Sequence, residues 1–92
     1  MLYTVSMPEE LRQQANQIWI QISGIKSPKI RQDLEKMHRN LEILLSELSQ
    51  ESVNCRRLHR DTPKYQELYI QIKDRMTQIE QYITLGLLSI DQ

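Results

Sequence analysis

Cys55 and His59 stand four residues apart in the stretch NCRRLHR, and Glu51 lies four residues before the cysteine. A thiol, an imidazole and a carboxylate are the donor types of zinc sites, and four-residue spacing on a helix puts them one turn apart. Two ligands at that spacing can hold a metal, but zinc needs three or four. The only other histidine, His38, would lie about 30 Å away along the same helix. No metal and no cofactor are therefore expected. As a nucleophile and base the pair fares no better. Nothing orients the imidazole, and a helical hairpin offers no oxyanion hole. Catalysis is not expected of this chain.

A second chemistry sits in the same stretch. Arg56, Arg57, Arg60 and Lys64 crowd together against the single acid Asp61, leaving a net charge of +3 over residues 55–64. Such a tip could dock a phosphate, an acidic peptide or a nucleic-acid backbone. The plainer reading is that cations near a helix C-terminus complement its dipole. Three or four phosphate contacts alone bind weakly, and the aromatic interleaving of single-strand binders is missing. Two short motifs point back to packing. Leu41-Glu42-Ile43-Leu44-Leu45 fits the LxxLL pattern of groove-binding helices, yet Leu41 and Leu44 already belong to an apolar seam. Tyr65, Tyr69 and Tyr82 open tyrosine-based motifs that are read in extended form, whereas their spacing here is helical.

The elements that must position these residues are plain in the pattern. Ile30, Leu34, Met37, Leu41, Leu44 and Leu48 follow one another at gaps of 4, 3, 4, 3 and 4, the rhythm of a helix packed lengthwise on others. This seam weakens at Glu51 and resumes less regularly with Val53, Cys55 and Leu58. Ser27-Pro28 supplies an N-cap and a first helical residue, so the long helix is predicted over about 28–60. Before it, Ser6 and Glu9 form a capping box, and Leu11, Ala15, Ile18, Ile22 and Ile25 carry the same rhythm. Gly24, able to turn left-handed, is the expected stop of a helix over about 7–23. After it, Asp61 or Thr62 caps a helix over about 63–88 that carries Tyr65, Tyr69, Ile72, Met76, Ile79 and Ile83.

Short connections make sequential helices antiparallel neighbours. The three helices would measure roughly 25, 50 and 36 Å. Folded back from either end of the long helix, the first would reach about Leu44 and the third about Leu34 to Met37. The expected fold is all-α: one domain over 1–92, a short three-helix bundle extending into a coiled-coil-like two-helix hairpin.

Composition agrees and narrows the function. Twelve basic and twelve acidic residues cancel, so no global field draws the chain to nucleic acid or anionic lipid. A single cysteine excludes an internal disulfide and fits a reducing, cytoplasmic compartment. No apolar run reaches the roughly 18 residues of a membrane span, and MLYTVSMPEE lacks the regions of a secretory signal.

The informative apolar residues are those that miss the seams. Ile20 lies about 200° around from Ile18, Ile43 from Leu41 and Ile70 from Leu68, and Trp19 projects between Ile18 and Ile20. Leu85, Leu87, Leu88 and Ile90 add to them. Each helix carries at least one, on a chain whose own core is thin. The expected function is a non-catalytic protein–protein interaction or oligomerisation module, a subunit or adaptor binding itself as a homodimer or another helical protein. Trp19, Ile20, Ile43 and Ile70 are its candidate contacts. The alternative is a nucleic-acid, phosphate or acidic-peptide binding module using Arg56, Arg57, Arg60 and Lys64.

Overall fold

The computed structural model describes residues 8–90, and side chains from 9 to 86. Three helices account for almost all of it: α1 (Pro8–Ser23), α2 (Pro28–Leu58) and α3 (Pro63–Ile90). Each opens on one of the three prolines of the chain. A first-turn N–H has no helical partner to lose, and the fixed φ of proline suits the helix. Ser27 caps α2, its hydroxyl accepting from the Ile30 N–H at 3.5 Å. Thr62 caps α3, accepting from the Tyr65 N–H at 3.2 Å. The capping serine expected for α1, Ser6, and the leading MLYTV lie outside the described residues.

All three helix ends differ in detail from expectation. Gly24 does not turn left-handed. Instead α1 tightens, Gly24 N–H donating to Gln21 O at 3.2 Å and Ile25 N–H to Ile22 O at 3.1 Å. These three-residue bonds satisfy the last carbonyls, so no left-handed residue is needed. The left-handed residue is His59, with φ 57° and ψ 37°. Its N–H donates to Arg56 O at 3.3 Å, and the Arg60 N–H donates to Cys55 O at 3.1 Å. That pair of bonds is a Schellman motif, and it stops α2 at Leu58 rather than at residue 60. At the other end α3 runs through Gly86 to Ile90, two residues past the expected 88.

Cross-helix contacts give the arrangement. Arg12 meets Ser49 and Ala15 meets His38, so α1 runs antiparallel to α2. Thr62 meets Glu51 and Tyr82 meets Asp33, so α3 does the same. Lys73 Nζ donates to Gln14 Oε1 at 3.2 Å and ties α1 to α3. The helices overlap more than their estimated lengths implied: α1 reaches Ser49 rather than Leu44, and α3 reaches Ile30. There Gly86 is buried, and a Cβ on it would stand 3.1 Å from Ile30 Cγ2, so its bareness lets α2 and α3 close. The Tyr82 hydroxyl donates to Asp33 Oδ2 at 3.2 Å. Burial first, then the bond and charge of Asp33, push that hydroxyl's pKa above its usual value. The whole is a rod of 55 × 19 × 16 Å.

The core is built on α2, which has two seams rather than one. Ile30, Leu34, Met37, Leu41, Leu44, Leu48, Glu51 and Cys55 face α3. Leu34, His38, Leu41, Leu45 and Leu48 lie on the α1 side, where His38 meets Ala15, and Ser52 and Cys55 continue that row towards the tip. Both sets keep the 4-3 rhythm, and Leu34, Leu41, Leu48 and Cys55, fully buried, belong to both. The seam therefore does not weaken at Glu51. It passes through the buried Glu51 and Ser52 to Cys55, while Val53 and Leu58 are exposed. Leu44 is only half-buried, because Leu45 fills the inner position on the α1 side.

This placement separates neighbours in the LxxLL motif. Leu41→Ala should cost about 2–5 kcal/mol, as for a core leucine. Ile43→Ala, on the outer face, should stay within about 0.5 kcal/mol. Urea titrations of the two variants check the difference.

Candidate interaction surfaces

The basic tip is shaped by the turn beneath it. The Schellman bonds end α2 with Arg56 and Arg57 in its last turn. Arg60 follows the left-handed His59, and Lys64 stands in the first turn of α3. All four cations are exposed, and none forms an ion pair with a described residue. Below them the turn is locked by a buried polar cluster. Thr62 Oγ1 donates to Glu51 Oε1 at 2.8 Å, Asn54 Nδ2 donates to Glu51 Oε2 at 3.3 Å, and the Thr62 N–H points at Cys55 Sγ, 3.5 Å away. The hydrogen bond from Thr62 holds the Glu51 carboxyl below the usual carboxylate range. Asn54 and the charge of Lys64 help, against the opposing pull of burial.

Cys55 and His59 do not form one site. The thiol is fully buried against Thr62, whereas His59 has left the helix and faces outward. Among the described residues, no group of three or more His, Cys, Asp or Glu is placed to hold a metal.

The four candidate apolar contacts are all exposed, but they do not share one face. Ile43, 58% exposed, points away from both neighbours on the back of α2, and Ile70, 67% exposed, does the same on α3. Ile20, 70% exposed, stands at the lip of a groove between α1 and α3. The groove holds about 600 Å³ and is lined by Ile20, Gln21, Gly24, Glu80, Ile83 and Thr84. Leu85 is exposed as well; the side chains of Leu87, Leu88 and Ile90 lie outside the described residues. Trp19 is 42% exposed, yet its indole packs on the His38 ring with centroids 4.9 Å apart and planes tilted by 47°.

His38 is the functional candidate that seam reading missed, because Met37 fits the α3 seam and hides the α1 seam running one residue later. The imidazole is 3% exposed. Nε2 lies 2.9 Å from the Ala15 carbonyl oxygen. A carbonyl only accepts, so Nε2 carries a hydrogen and donates it. Nδ1 is buried without a hydrogen-bond partner, although Glu42 Oε1 is only 3.0 Å away. The carboxylate is near enough for a charge contact but off the line of a hydrogen bond. Beside the ring opens a cavity of about 370 Å³ lined by Arg12, Ala15, Asn16, His38, Glu42, Leu45 and Ser46.

No protein-family model, curated protein or solved structure matches this chain, so the functional reading rests on its own residues.

The Glu51 cluster predicts how the tip responds to acid. A carboxyl whose pKa is lowered on folding adds stability above its unfolded value, and loses it as pH falls through the folded one. Wild-type stability should therefore decline below the ordinary glutamate value of 4.5. Glu51→Gln should flatten that part of the decline. Denaturant midpoints between pH 7 and pH 3 check the difference.

Proposed function

We propose that this chain is a non-catalytic protein–protein interaction module that self-associates through apolar side chains on its outer faces. The observation that carries the reading is Ile20, largely exposed at the lip of the α1–α3 groove. Gly24 and Thr84, both small, line that groove and leave room for another chain's side chains. Large apolar side chains also stand exposed on α2 and α3. Single exposed residues are ordinary on a protein surface. A small domain with a thin core gains most from covering them, and closed two-fold dimers are the commonest way. Another helical protein offering a similar face would serve equally.

A second reading is favoured by the tip, where Arg56, Arg57, Arg60 and Lys64 are exposed and unpaired among the described residues. It is a binding module for a phosphate, an acidic peptide or a nucleic-acid backbone. Charge-assisted contacts of this kind are weakened by salt, whereas apolar ones are not.

The test acts on Ile20 alone, because Trp19 also supports the α1–α2 contact. In sedimentation equilibrium the wild type should be a dimer at micromolar concentration, at low and high salt alike. Ile20→Glu should be a monomer with its circular dichroism unchanged. A wild type that remains monomeric would contradict self-association. Binding of a phosphorylated or nucleic-acid probe that fades with salt and vanishes when Arg56, Arg57 and Arg60 become Gln would favour the tip.

A further inference from the structure

The back of α2, turned away from α1 and α3, carries more than Ile43. About 100° per residue puts Lys36, Arg39, Glu47 and Gln50 within about 40° of Ile43 on one outward stripe. All four are exposed. Arg39 stands four residues before Ile43 and Glu47 four residues after it, each about 6 Å away along the axis. Neither forms an ion pair with a described residue, whereas nearby charges of α2 do: Arg31 lies 3.7 Å from Glu35, and Glu42 lies 3.0 Å from His38. An exposed apolar residue is thus flanked symmetrically by a cation and an anion that have no ion-pair partner among the described residues.

We propose that this stripe is a self-complementary contact, in which α2 of a second copy lies antiparallel across α2 and the two Ile43 side chains meet at a two-fold axis. That axis brings Arg39 of each copy level with Glu47 of the other, so one surface supplies both halves of two ion pairs. Lys36 comes level with Gln50 and Asn40 with Ser46, each a donor facing an acceptor. A parallel pairing would set Arg39 beside Arg39 and Glu47 beside Glu47, and like charges repel. Helix axes about 8–10 Å apart leave the long Arg and Glu side chains able to reach across. On α3, Ile70 is flanked in a similar way by Glu67 and Lys73. There, however, Lys73 is already held by Gln14 at 3.2 Å.

This contact is separate from the one proposed for Ile20. It uses a different helix, so it joins one self-associated pair to another and does not depend on the groove. One isoleucine per copy and two exposed ion pairs make a small interface, of the weak and transient class. Salt weakens it, because exposed charge pairs are screened.

The test uses the full 92-residue chain carrying Ile20→Glu, which removes the groove contact and isolates this one. In sedimentation equilibrium at low salt it should pass from monomer towards dimer between about 10 μM and about 1 mM, and added salt should reverse the rise. Arg39→Glu or Glu47→Arg in that background should each raise the dissociation constant at least about tenfold, because each sets like charges face to face. An equimolar mixture of the two should regain the dimer, one chain supplying both acids and the other both bases. Both positions are exposed, so circular dichroism should stay that of the parent. If Ile20→Glu loses helix content, the same reversals on the wild-type chain supply the reading, as loss of mass above the dimer. A wild type monomeric at micromolar concentration would remove the groove contact and leave this one to be read directly. An Ile20→Glu chain that is folded and monomeric to about 1 mM, a dimer indifferent to both reversals, or a mixture no heavier than its components would each overturn the proposal.

Discussion

One helix with two neighbours is the constraint that orders this molecule. The two partners of α2 lie side by side, so its buried stripe must be wider than a single seam. Two 4-3 rows meet that demand by sharing every seventh position, Leu34, Leu41, Leu48 and Cys55, all fully buried. The row that adds Ile30, Met37, Leu44 and Glu51 serves α3. The row that adds His38 and Leu45 serves α1, and Ser52 carries it on towards the tip. The lengths of α1 and α3, and the short turns that join them to α2, follow as the ways of covering both rows at once.

A stripe this wide on a small chain takes in polar residues, and each must find a partner once water is excluded. Ser52 donates to Ser49 O at 2.6 Å. Glu51 is held by Thr62, whose hydroxyl also caps α3, so the residue that starts the last helix also hydrogen-bonds the buried carboxylate of the one before. His38 is satisfied on one ring nitrogen only. The cap of α3, the end of α2 and the cavity beside His38 all lie at these three positions.

Local chemistry was legible in the sequence where it acts over a few residues. Ser27-Pro28 and Thr62-Pro63 mark the starts of α2 and α3 because a capping oxygen and a missing N–H work within one turn. The outward placement of Ile20, Ile43 and Ile70 was legible for the same reason, since about 100° per residue settles which side chains share a face. Features that depend on two helices at once were not. His38 and Glu51 look like polar interruptions of one seam and become core residues only when a second neighbour arrives. Gly24 and His59 exchange the roles their types suggest, because α1 ends in a tightened turn while the Schellman bonds at the α2 terminus accept a histidine. Nor did outward-facing residues prove to be one patch: Trp19 packs on His38, and Ile43 and Ile70 look out from different sides of the rod.

What is left for recognition is accordingly the outside: the lip of the α1–α3 groove, the backs of α2 and α3, and the cationic tip. That division depends on α2 being covered on both rows through its first two-thirds. Native-state hydrogen exchange by NMR reports this directly, since amides under two neighbours open only with the whole molecule. The amides of residues 34–48 should exchange slowest, and those of 52–62, beyond the reach of α1, at least about tenfold faster. Uniform protection along α2, or slowest exchange at the tip, would contradict the two-row core.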